Sequence, residues 1–385
     1  MDPMMPSEGN RELEDLAVSL VEEAAGLASQ LHPTVINSVS ELVRSMNCYY
    51  SNLIEGHDTH PRDIEKALKK DFSIDPLQRD LQKEARAHIM VQQAIDYGKL
   101  SLVGTADDDR IRWIHMAFYR RLSESSRWVT DPDTGERHQV LPGKYRTRSV
   151  VVGRHVPIEH INIASFMLRF EKAYNPHRLS RVRQVIAAAA SHHRLLWIHP
   201  FLDGNGRVAR LFSHAFLKDV GVGSGLWSIS RGLARHEAEY KRRLMAADGD
   251  RAGDLDGRGN LSEKGLTNFC LFFLTKCIDQ VQFMESLLSL GDLLGRIERY
   301  STQQIEAGLL PSGSRSLLRE ALLTGEFPRG KAPSITGYKE RQARTVLQAL
   351  TEKGLLVSDG PRKPVRLGFP EHILDSWLPL LYPNR

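Results

Sequence analysis

Apolar residues fall three, four or one positions apart along most of this chain, the spacing of helices that each bury one stripe. Residues 11–31 place Leu13, Leu16, Val18, Leu20, Leu27 and Leu31 among acids and alanines, and His32-Pro33 closes the segment. From about Thr34, the positions Val35, Val39, Leu42, Val43, Met46, Tyr49, Tyr50 and Leu53 form a single stripe that Gly56 ends as a C-cap. The same period predicts helices from Pro61 and over 81–97, 110–122, 163–174 and 179–198, one or two across 261–307, and further ones over 311–323 and 339–352. Two stretches break it. Turn-forming pairs crowd residues 130–147 (Asp131-Pro132, Thr134-Gly135, Pro142-Gly143), and Val150, Val151 and Val152 before Gly153 predict a short strand or hairpin within 149–155. Residues 325–337 read as loop. After the helix at 339–352, Leu355 to Val357, the turn Asp359-Gly360-Pro361 and Val365 to Leu367 read as a hairpin, so the tail has the helix, helix, wing order of a winged helix.

Composition narrows the class without fixing a partner. The 385 residues are 41% hydrophobic and 26% charged, ordinary for a globular chain of two or three domains. The net charge of +5 is mild. Most of it lies in residues 326–385, where ten basic residues face six acidic ones, a balance of +4. Three dispersed cysteines, Cys48, Cys270 and Cys277, argue for buried thiols and against a disulfide framework or a zinc site. Met1 to Asn10 lacks the pattern of a signal peptide, and the densest apolar run, Phe269 to Leu274, is far short of a membrane span. A cytoplasmic location without membrane contact is expected.

The chemistry concentrates in His199-Pro200-Phe201-Leu202-Asp203-Gly204-Asn205-Gly206-Arg207-Val208-Ala209-Arg210. A long apolar helix runs into His199, and Pro200 turns the chain. Gly204 and Gly206 permit a tight backbone that feeds a new helix, whose first N–H groups form an anion site. Arg207 and Arg210 lie three apart and suit phosphate. Asp203 suits Mg²⁺ beside that phosphate, and His199 suits a general base. Base, anion cradle, metal ligand and cationic clamps together describe attack on a phosphoryl group.

This segment resembles the motif of the Fic protein adenylyltransferases, H-x-F-x-[D/E]-G-N-G-R-x-x-R, at every fixed position. Leu141-Pro142-Gly143-Lys144-Tyr145-Arg146 and the valines of 150–152 are similar to the family's G-x-[Y/F]-R segment and flap, and Ile229-Ser230 with Tyr240 to the stretch flanking the nucleotide base. The resemblance implies a mainly α protein: a Fic helical fold with a small β-hairpin flap, plus a C-terminal winged-helix domain. It divides the chain into an N-terminal helical region with an inhibitory helix (1–104), a Fic catalytic domain (105–250), a helical extension (251–310) and the winged helix (311–385). It also implies that His199 deprotonates a Ser, Thr or Tyr hydroxyl of a target protein, which takes AMP from ATP. Asp203 would hold Mg²⁺. The amides of Gly204, Asn205 and Gly206 would form the anion hole, Asn205 and Arg207 would contact phosphate, and Arg210 would hold the γ-phosphate. Phe201 would anchor the loop, and Tyr240 would face adenine. The flap (Val150, Val151, Val152, Gly153) would dock a target strand, and the protein would be a homodimer.

A brake is expected as well. Ser51 and Glu55 are four apart and share a helix face. Glu55 lies at a helix C-terminus, where the macrodipole disfavours a carboxylate, so a cation should compensate. Ser51-Asn52-Leu53-Ile54-Glu55-Gly56 resembles the Fic inhibitory motif [S/T]-x-x-x-E-[G/N], which implies that Glu55 pairs with Arg210 and occupies the γ-phosphate position.

Rival signals weigh differently. His192, His193, His199 and Asp203 are too far apart along a helix for one zinc site. Gly325 to Ala332 approaches a P-loop but lacks its Ser/Thr and follows a helix. Arg231, Arg235, Arg242 and Arg243 read as a solvated face. Lys339, Arg341 and Arg344 on a recognition-type helix, with Arg362 and Lys363 at the wing tip, suit DNA, which leaves a DNA-binding regulator with a nucleotide-sensing Fic region as the alternative. A Fic-fold enzyme using another nucleotide donor is the third reading.

Overall fold

A computed structural model describes residues 1–99, 103–131 and 134–383. Pro132, in one expected turn, and Arg385, in the tail charge count, lie outside the described residues. The chain is mainly helical, and it falls into two compact units, Met1–Ala24 with Asn47–Gln280, and Ala25–Met46 with Val281–Arg385. The sequence boundary at 104/105 runs inside the first unit, and the segment 25–46 belongs with the second.

In the first half of the chain the helices are α1 (Arg11–Ser29), α2 (Pro33–Ile54), α3 (Pro61–Leu68), α4 (Pro76–Asp96) and α5 (Asp108–Tyr119). Prolines open α3 and α4 at their first turns, where no N–H is needed. β1 (Trp128–Thr130) and β2 (Arg137–Gln139) pair antiparallel across the turn-rich stretch, Val129 opposite His138. The expected hairpin at 149–155 reduces to one antiparallel bridge, Val152 with His155. Val151 and Val152 are exposed there, so no apolar face drives the pairing further.

Next come α6 (Ile163–Tyr174), α7 (Arg181–Ile198) and α8 (Asn205–Asp219), then α9 (Ile229–Arg235), α10 (Glu237–Asp248) and α11 (Glu263–Leu288). The core of the first unit is the α7/α8 pair. Ala187 to Ala190 of α7 are fully buried, as are Ala209, Phe212 and Phe216 of α8, and the small alanines let the two helices pack closely. α7 and α8 pack together and are joined by six residues, so the loop 199–204 sits at one end of the packed pair.

In the second unit, α12 (Leu290–Glu306) and α13 (Ser314–Thr324) precede β3 (Glu326–Phe327), α14 (Ala332–Thr336), α15 (Glu340–Glu352), β4 (Leu356–Val357), β5 (Val365–Leu367) and α16 (Leu374–Trp377). The strands form a sheet of order β3-β5-β4, with Leu356 opposite Leu367 and Phe327 opposite Val365. α14 and β3 fall in the stretch the sequence marks as loop, since each is too short to show a period. Among the described residues, no helix is long and apolar enough to cross a membrane.

Candidate functional site

The site starts from a strained residue. His199 caps α7 with φ +50° and ψ +61°, the left-handed region. A side chain there costs about 1–2 kcal/mol. Several bonds hold it. The His199 N–H donates to the Leu195 carbonyl (3.1 Å), and Arg146 Nε donates to the His199 carbonyl (2.9 Å). The Arg146 amide donates to the Pro200 carbonyl (2.9 Å). Burial first, then the nearby positive charge of Arg146, lowers the His199 pKa to about 4. The imidazole is therefore neutral near pH 7, and one ring nitrogen keeps a lone pair.

The loop closes on itself. Phe201 is fully buried and stacks on His115, with ring centroids 3.9 Å apart. The Asn205 side chain accepts from the Phe201 amide (3.0 Å) and donates to its carbonyl (2.8 Å). The carboxamide thus acts as a lock on the loop. The Asn205 and Gly206 amides, in the first turn of α8, have no intrahelical acceptor. Gly204 has φ +80°, and a Cβ there would lie 2.7 Å from the Tyr119 ring. Tyr119 donates to Asp203 Oδ2 (2.6 Å), which orients that carboxylate. Burial, then the Asp203 charge, pushes the Tyr119 pKa well up, so the phenol stays a donor.

Both arginines of the loop are buried against carboxylates from elsewhere in the first unit. Arg210 donates through Nε to Ser51 Oγ (2.8 Å) and through Nη2 to the Ser51 carbonyl (3.1 Å) and Glu55 Oε1. Burial works to raise the Glu55 pKa, but Arg210 and Arg207 outweigh it and hold the carboxyl below its usual range. The turn carrying Glu55 ends at Gly56, φ +79°. A Cβ on Gly206 would lie 2.3 Å from Glu55 Oε1, so the missing side chain of Gly206 is what admits the carboxylate. Arg207 pairs with Glu84 of α4 (3.1 Å) and lies over the Phe118 ring.

Glu84, His57, Tyr119, His115 and Arg146 have no place among the site residues read from sequence. One signal for Glu84 was available: Glu84, His88 and Gln92 put a polar stripe at intervals of four on a helix whose Ala85, Ile89 and Ile95 are apolar, and all six are buried. Tyr240, expected to face adenine, is buried: its hydroxyl lies 2.7 Å from His192 Nε2 and interacts with Arg210, and its ring packs near Phe269. His192 also meets Ser213 Oγ (2.8 Å), and His193 meets Asp248 (3.2 Å). These are partnered core histidines, and among the described residues no group of three or more metal-binding side chains forms. The flap is tethered by His155, whose Nε2 lies 2.8 Å from the Trp197 carbonyl.

Residues 106–217 match the Fic/DOC family. The chain is 40% identical over 79 residues to a protein named protein adenylyltransferase Fic from Drosophila erecta, and 42% identical over the same length to that of Drosophila yakuba. Each match covers 20% of this chain and 16% of the relative. The chain thus spans about a sixth of the length of these curated relatives. Among solved structures, a Fic family protein from Desulfovibrio desulfuricans G20 is similar with a TM-score of 0.56 at 16% identity, over 95% of this chain and 98% of that one. Fic-1 from C. elegans is similar with a TM-score of 0.53 at 15% identity, over 73% of this chain and 79% of that one. At these identities the likeness shows the fold, which is the Fic helical fold.

Proposed function

We propose that this Fic-domain protein is a transferase that moves AMP from ATP to a Ser, Thr or Tyr hydroxyl of a protein, itself included, and that Glu55 restrains it. The observation carrying the reading is the loop between α7 and α8: a neutral His199 beside a helix N-terminus that carries two arginines. In the step, the target oxygen attacks the α-phosphorus, its proton passes to His199, the bond to the β-phosphate bridging oxygen breaks, and pyrophosphate leaves. Arg207 Nε is buried without a partner among the described residues, and a phosphate oxygen would supply one.

Asp203 fits Mg²⁺. It is exposed, one oxygen is fixed by Tyr119, and a single carboxylate with phosphate oxygens and water is an ordinary Mg²⁺ set. The ion would neutralise phosphate charge. Glu55, sitting on Arg210, competes for the place of the terminal phosphate.

Mass spectrometry of the purified chain after ATP and Mg²⁺ tests this. Glu55→Gly should carry an AMP adduct about tenfold more than the unaltered chain, equivalent to about 1.4 kcal/mol of restraint. Adding His199→Ala to that variant should remove at least about 100-fold of the labelling. An adduct that persists with His199→Ala overturns the chemistry, and an adduct from another nucleotide redirects the donor.

A second reading concerns the tail alone. Arg341 and Arg344 on α15, and Arg362 and Lys363 in the β4–β5 turn, are exposed and have no ion-pair partner among the described residues. Arg315, Arg319 and Arg366 of the same unit are paired. A cleft of about 550 Å³ runs beside Arg329, Pro333, Arg344, Gln348 and Pro361. Unpaired cations of a winged-helix-like unit suit duplex phosphates. A salt-dependent shift of duplex DNA by the full chain tests it.

A further inference from the structure

We propose that His57 and Glu84 are positioning residues of this site, forming a second clasp that seats the Glu55 turn over Arg210. The inference deepens the transfer reading and rests on it. Its ground is geometric. Glu55, Gly56 and His57 are consecutive in one turn, closed by Gly56 N–H to Leu53 O (3.0 Å) and His57 N–H to Asn52 O (2.9 Å). Within that turn, Glu55 reaches Arg210, while His57 reaches the Glu84 carboxylate with Nδ1 3.0 and 3.2 Å from its two oxygens. Glu84 is held in the buried face of α4 and already binds Arg207. A Cβ on Gly56 would meet nothing within 4 Å, so packing at the tip does not hold the turn. The side chains on either side of Gly56 do, one on each arginine's neighbourhood.

The His57 contacts also exclude one another. Nδ1 lies 3.1 Å from Arg207 Nη2 as well as within reach of Glu84. With a proton, Nδ1 donates to Glu84. Without one, it accepts from Arg207 and turns a lone pair toward the carboxylate. The imidazolium and the neutral Nδ1–H tautomer both donate to Glu84, and the imidazolium adds its charge to the bond, so protonation closes the clasp most firmly. The charged groups facing His57 are Glu84 from α4, Arg207 from α8 and Glu55 from its own turn. The Glu84 hydrogen bond raises the His57 pKa above 6.5, against burial and Arg207. The clasp is therefore tightest below 6.5 and loosens as pH rises through the raised value. The brake should be tightest on the acid side.

The experiment is self-labelling of the full chain with ATP and Mg²⁺, between about pH 6 and pH 9. His57→Ala should raise labelling about three- to tenfold. In the Glu55→Gly background the same change should alter it less than about twofold, because there is no brake left to seat. The ratio of Glu55→Gly to unaltered labelling should fall with rising pH and become flat once His57 is alanine. Equal gains in both backgrounds, or no gain in either, overturn the proposal. If Glu55→Gly labels nothing at any pH, the transfer reading fails, and the clasp is still decided by NMR titration. The His57 imidazole should titrate above 6.5 and return toward it with Glu84→Gln. A titration that Glu84→Gln leaves unmoved overturns the clasp independently of activity.

Discussion

The segment 199–210 and helix α15 both carry arginines three residues apart, Arg207 with Arg210 and Arg341 with Arg344, yet the two pairs live in opposite environments. The loop pair is buried, each guanidinium against a carboxylate, while the α15 pair is exposed and unpaired among the described residues. Buried charge survives only with partners, so the loop arginines come with a fixed set of acids and hydroxyls around them. Exposed charge needs no partner and imposes none. Equal spacing thus stands for a buried, carboxylate-paired cluster in one place and an open cationic surface in the other.

Three changes break or sharpen that contrast. Phe201→Ala has the largest expected effect, because it empties the stack on His115 beneath the loop. Loss of a buried aromatic costs about 3–5 kcal/mol, read as a fall in denaturant midpoint. A drop below about 1 kcal/mol would mean that the loop is held by its hydrogen bonds alone.

Acid comes next. Burial lowers His88 and His192 to about 3, and His115 and His199 to about 4, from an ordinary 6.5. Below 6.5 the unfolded chain binds protons that these folded groups refuse. Their contribution is complete above 6.5 and is lost as pH falls toward 3–4. Denaturation followed from pH 7 to pH 5 should show the first unit weakening, and a first unit as stable at pH 5 as at pH 7 would contradict the buried, neutral histidines.

The smallest effect belongs to α15. Arg341→Ala and Arg344→Ala should each change stability by less than about 0.5 kcal/mol. If duplex DNA binds, each should lower the salt slope of affinity by about one.

Much of this was legible beforehand. Helix positions followed from period, and α6 matches its expected span, 163–174. Gly56 and Gly204 take the left-handed turns their places suggested. The compensating cation expected for Glu55 is Arg210, 155 positions away. What failed did so for physical reasons. The flap valines look like a strand but have no partner face. Tyr240, placed at the base by the resemblance, is held inside by His192 and lies against Arg210. Asn205, a phosphate contact by the resemblance, also locks the loop by bonding both polar groups of the Phe201 backbone, which a linear reading does not show.

The sequence by itself determined the helices, the turn at His199-Pro200 and the chemical types gathered in one twelve-residue segment. These depend on neighbours three or four residues apart, which a linear reading contains. Only the tertiary structure decided that Glu84 faces Arg207, that Tyr119 steadies Asp203, and that His57 and Glu55 straddle both arginines. A helical period tells which face is apolar, but not which polar groups meet beneath it. Those meetings are set by how α2, α4, α5 and α8 pack, and a buried charge then binds whatever packing has brought within 3 Å or so.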